Sequence, residues 1–118
     1  MKRIALILLA CLLHAGTAFA QAWPTKPVRL LVGFNAGGPT DLVARLIAEQ
    51  LTDKFKQPFV VENRPGGNGA VATQAVIASP PDGYTLLIGT SGAMTVSPAM
   101  LKVMPFNPLK DLTAVSFL

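Results

Sequence analysis

Three short apolar runs, each breaking into a turn rich in glycine or hydroxyl residues, set what this chain can fold into. The runs are Val28 to Phe34 (VRLLVGF), Phe59 to Glu62 (FVVE) and Tyr84 to Gly89 (YTLLIG). They are branched and lack polar alternation, the pattern of strands covered on both faces. Helical periods follow them. Leu42, Val43, Leu46, Ile47, Leu51 and Phe55 recur at helical steps and predict one buried face. Thr40 reads as the N-cap of that helix. Asp41 in its first turn and Lys54 and Lys56 in its last match the helix dipole, and Pro58 ends it. Ala70 to Ala78 predicts a second helix, with Val71, Ala75 and Ala78 on its inner face. Ser97-Pro98 predicts the start of a short third helix through Lys102. Leu112 to Leu118 predicts a fourth strand.

The order β-α-β-α-β-(α)-β defines an α/β fold with a parallel sheet and helices on its faces. Its crossovers are expected to be right-handed. In such a sheet every loop from a strand into a helix leaves at the same rim, where open α/β sheets bind ligands. The first loop offers Phe34, Asn35, Ala36, Gly37 and Gly38, followed by Thr40 and Asp41 at a helix start. Glycine lets a ligand approach the backbone closely, and the first-turn amides favour an anion. The third loop offers Thr90, Ser91 and Gly92, with two hydroxyls that can donate to a carboxylate. The second, Gly67-Asn68-Gly69, repeats the glycine device and is the weaker candidate. A small anion held by neutral donors suits this rim.

The amino terminus reads as an address. Lys2 and Arg3 precede an apolar stretch from Ile4 to Leu13, and Ala18-Phe19-Ala20 is a cleavage signal, so residues 1–20 are expected to be a secretory signal peptide cut after Ala20. The apolar run is about half of the ~20 residues a membrane span needs, so no membrane insertion is expected after cleavage. Cys11 and His14 are the only Cys and His, and both leave with the leader. That excludes a thiol nucleophile, a His base and a His/Cys metal site in residues 21–118. Ten basic residues stand against six acidic ones, and Lys2 and Arg3 also leave. The remaining positive charges are dispersed, unlike the basic stripe of a nucleic-acid binder. The carboxylates show no paired spacing for acid-base work, so no catalytic residue is assigned. Gly67 to Ala72 fits G-x-G-x-x-A, the alternative of a dinucleotide-binding enzyme fragment. However, its glycines lie well beyond the strand end, and Tyr84–Ser91 lacks the acidic residue that would hold a ribose.

Four blocks carry a resemblance: WPTKPVRLLVGFNAGGPTDLVAR, VVENRPGGNG, SPPDGYTLLIGTSG and PAMLKVMPFNPLKDLTAVS. From Trp23 to Leu118 the chain resembles the substrate-binding receptors of tripartite tricarboxylate transporters, the Bug family. The resemblance implies a three-layer, periplasmic-binding-protein-like domain, of which residues 21–118 would be the first part, the second domain being absent from this chain. It implies a periplasmic receptor that captures a small carboxylic acid without a cofactor and delivers it to membrane permease subunits. A ligand-sensing subunit for a signalling partner is the alternative. It also implies that Phe34 to Asp41 and Thr90 to Ala93 touch the ligand carboxylate. Asn35 and Gly33 depart from the usual family pattern in the first loop. With half a cleft, binding by this chain alone is expected to be weak or absent.

Overall fold

The computed structural model describes residues 23–101 and 103–117, so the expected leader and its cleavage point lie outside the described residues. Strand β1 is Val28–Val32, β2 is Phe59–Asn63 and β3 is Thr85–Ile88. They form one sheet in the order β2-β1-β3, with both pairings parallel. Val28 stands opposite Phe59, and Arg29 opposite Thr85. The α/β class and the parallel sheet therefore stand as read from the alternation. The central place of β1 explains its unbroken apolar character: Val28, Leu30, Leu31 and Val32 are at most 1% exposed. Burial on that scale contributes roughly 1.5–3 kcal/mol per side chain.

Helix α1 spans Pro39–Phe55 and α2 spans Ala70–Ile77. The path from β1 through α1 to β2 moves one way across the sheet. The path through α2 to β3 then passes back across β1. Right-handed crossovers in opposite directions place the two helices on opposite faces. On the α1 face, Val28, Leu30, Ala48 and Phe59 form the core, with Leu51, Phe55, Val61, Tyr84, Leu86 and Ile88 packed around it. The Trp23 ring closes this core below the sheet, at 5.4 Å from Phe55 and 6.1 Å from Tyr84. The proline-bearing lead-in is thus docked: Thr25 donates its amide to the Tyr84 hydroxyl, and Lys26 lies over the Tyr84 ring.

Several local expectations are corrected. The N-cap of α1 is Gly38, with extended backbone, and Pro39 opens the helix. Proline disfavours helical geometry in the residue before it and suits the first helical position itself, so the boundary falls ahead of Thr40. The inner face of α1 is Asp41, Ala44 and Ala48, while Leu42 and Leu46 are 57% and 64% exposed. Alanines let the helix lie close on the sheet, and of the expected stripe Leu51 and Phe55 join the core. In α2 the buried residues are Ala72 and Thr73, whereas Val71 is exposed. Ser97 is the first residue of a short helix rather than its N-cap, which is Val96 in helical backbone. A π-helical turn, Gly92–Val96, runs into helix α3, Ser97–Met100. The Ser97 amide bonds to the Gly92 carbonyl, one residue further back than in an α-helix. This wide turn immediately precedes Pro98, which has no amide hydrogen to continue the ladder. The predicted fourth strand does not form over residues 112–117, where Val115 and Phe117 are 81% and 99% exposed. They find no strand edge among the described residues, and an unpaired extended segment gains no ladder bonds. A short helix α4, Pro108–Asp111, precedes them, capped by the Asn107 side chain accepting from the Leu109 amide.

Candidate functional site

The order β2-β1-β3 puts the reversal of strand order at β1 and β3. The loops leaving their carboxyl ends flank the crevice where such sheets hold ligands. All three strand-to-helix loops meet at this rim. The 3-10 turn Gly67–Gly69 leads from the second loop into α2. Gly69 is buried with φ +90°; a Cβ there would lie 3.3 Å from the Ala93 Cβ and 3.9 Å from the Phe34 ring. A side chain at Gly33 would collide with the Gly69 Cα. The G-x-G-x-x-A pattern therefore marks close backbone packing among the three loops. Asn68 donates to the Ser97 hydroxyl at 2.9 Å and fastens the second loop to the kinked helix. Gly67 is exposed.

Within the first loop, Asn35, Ala36 and Gly37 are exposed, and Phe34, Gly38 and Thr40 are half-buried. Gly37 adopts φ +81°, and the space beside its Cα is open. The Gly38 amide bonds back to the Asn35 carbonyl, and Leu42 bonds to the Gly38 carbonyl. Pro39 has no amide hydrogen. The Thr40 and Asp41 amides are left without an acceptor among the described residues. At the third loop Thr90 is half-buried and Ser91 exposed. Met94 bonds to the Thr90 carbonyl, and Ala93 reaches the Thr90 hydroxyl at 3.4 Å. The Ser91 and Gly92 amides have no acceptor among the described residues. Two helix starts on neighbouring strands thus offer four amides and the Thr90 and Ser91 hydroxyls. Donors of this kind suit an anion, and the helix dipoles add to the attraction.

Asp41 sits in this rim but its carboxylate faces the protein. The residue is 2% exposed. Its Oδ2 accepts from the Gly37 amide at 2.8 Å and from Arg45 Nε at 2.9 Å, and its Oδ1 accepts from Asn63 Nδ2 at 2.8 Å. The Arg45 bond first, then the Gly37 and Asn63 donors, hold its carboxyl well below the ordinary carboxylate range. What Asp41 leaves free for a ligand is its main-chain amide. Asn63, at the end of β2, also donates to the Phe34 carbonyl at 3.1 Å. Sequence reading missed Asn63 and Arg45. Asn63 reads as a turn residue, and only the register of β2 beside β1 brings it under the first loop. A separate open groove runs along α1 and β2 between Arg45, Glu49, Asp53 and Val60. Among the described residues no three His, Cys, Asp or Glu side chains gather as a metal site.

A parallel sheet whose strand order reverses between β1 and β3, with loops into helices along one rim, defines an open α/β fold of the kind that binds ligands at that edge. The chain matches a family model over residues 43–118, that of the tripartite tricarboxylate transporter family receptor. A UPF0065 protein of Bordetella bronchiseptica is 43% identical over 113 residues, covering 96% of this chain and 33% of the relative. Among solved structures, MatC from Rhodopseudomonas palustris with bound malate superimposes with a TM-score of 0.72 at 37% identity, covering 75% of this chain and 30% of that one. A second R. palustris protein, solved with adipate, gives a TM-score of 0.70 at 42% identity, covering 74% and 29%. The chain belongs to the tripartite tricarboxylate transporter receptor family, and it spans about a third of the length of the relatives it matches.

Proposed function

We propose that this chain carries the first part of a periplasmic receptor's ligand-binding domain. Residues 1–20 direct export and residues 21–118 build the sheet rim that captures a small carboxylic acid for a tripartite tricarboxylate transporter. The observation that carries this reading is the pair of helix starts after β1 and β3, whose Thr40, Asp41, Ser91 and Gly92 amides have no acceptor among the described residues. A carboxylate oxygen accepts from such amides at little cost, because they are already ordered and need only shed water. Phe34 supplies an apolar wall, and Asn35 adds an amide side chain at the open side of the loop. Malate and adipate in two structural neighbours motivate a dicarboxylate as the ligand class.

Titration calorimetry of the chain with adipate and malate, against their diamides, tests this. Of the weak or absent binding expected of half a cleft, the four amides predict the first: weak, saturable binding of an acid, with none for the neutral diamides. Equal binding of acid and diamide, or none of either, contradicts it.

A further inference from the structure

The first loop has no hydrogen-bond ladder of its own, yet it must keep two amides unpaired. Its two ends are tied from outside. Asn63 Nδ2 donates at once to the Phe34 carbonyl, where the loop leaves β1, and to Asp41 Oδ1, where the loop enters α1. Arg45 closes the ring, with Nε on Asp41 Oδ2 and a terminal nitrogen 3.4 Å from Asn63 Oδ1. The remaining Asp41 bond draws in the Gly37 amide, at a residue whose backbone has a positive φ that glycine adopts without strain. The Asp41 carboxylate takes three donors, and its charge faces Arg45. The ring keeps the carboxylate turned away from an incoming anion. It also fixes where the Thr40 and Asp41 amides stand.

We infer that Asn63 is a positioning residue for the carboxylate site: reaching over from β2, it clasps both ends of the β1–α1 loop and so sets the ligand affinity without touching the ligand. This rests on the receptor reading above, and it names a residue outside both ligand loops as a determinant of affinity. The clasp also ties β2, the strand remote from the crevice, to the loop that lines it.

The test compares Asn63→Ala with Ala48→Gly, a buried change on α1 remote from the rim that serves as a stability control. The full chain is titrated with adipate, and amide hydrogen exchange is followed at Gly37. Asn63→Ala is expected to weaken adipate binding about tenfold and to speed Gly37 exchange by a similar factor, the scale of a lost hydrogen bond to a charged group. Ala48→Gly, at a similar loss of melting temperature, is expected to change neither. Asn63→Ala behaving like Ala48→Gly in both readouts overturns the inference and leaves the receptor reading standing. A wild-type chain that binds no acid overturns the receptor reading, and the exchange arm still decides whether the clasp holds the loop.

Discussion

Gly69 shows how one residue can look like a ligand contact and serve as packing. Its φ of +90° is a conformation L side chains rarely adopt, and a Cβ would press on Ala93 at 3.3 Å. Gly69→Ala is expected to lower unfolding free energy by roughly 1–3 kcal/mol, from the left-handed backbone and the crowding together. Gly37 differs: its φ is +81° but the space beside it is open. Gly37→Ala is expected to cost only about 1–2 kcal/mol, and any further effect falls on the loop that faces the ligand. Urea denaturation of the two variants checks both figures. Asn35 carries a different expectation. Its side chain stands at the rim, so Asn35→Ala is expected to leave stability within about 0.5 kcal/mol while changing the ranking of adipate and malate in calorimetry.

At the scale of elements, α1 is governed by small residues. Ala44 is fully buried against the sheet, so Ala44→Leu is expected to cost about 1–3 kcal/mol by overpacking, read from the urea midpoint. The order of elements was readable because period and turn chemistry are local. Val28–Val32, Phe59–Asn63 and Thr85–Ile88 each sit within two residues of the predicted runs. The inner faces of the helices were not readable, because alanine and leucine satisfy the same period and only helix-to-sheet distance chooses between them. Leu42 and Val43 therefore misled where Ala44 and Ala48 decide. The fourth strand failed for a related reason: a branched run such as Thr113 to Val115 becomes a strand only beside an edge. At the rim, the glycine loops were marked by composition. The Asn63 clasp was not, because its contacts span 22 and 29 residues of sequence and exist only once β2 pairs with β1.

For the whole molecule, two carboxyls tie stability to pH. Asp41, held down by Arg45, Gly37 and Asn63, and Glu62, held down chiefly by its paired bonds to Arg29, both have lowered pKa values. The unfolded chain therefore binds protons more readily than the folded one as acid is added. The stabilisation is complete above the ordinary carboxylate range near ~4 and drains as pH falls below it. The urea midpoint is expected to drop on going from pH 5 to pH 3, and less steeply in Glu62→Gln. The proposed export is tested at this scale too: mass spectrometry of chain recovered from a periplasmic extract is expected to find Gln21 as the first residue.

The central claim is that neighbouring helix starts after β1 and β3 share one carboxylate. It is tested most directly by a nitrogen-resolved NMR titration of the chain with adipate up to millimolar concentration. The expected outcome is saturable shifts concentrated at the Thr40, Asp41, Ser91 and Gly92 amides, all four following one binding curve. Shifts confined to a single loop, spread over the distant face of the sheet, or missing altogether would contradict it.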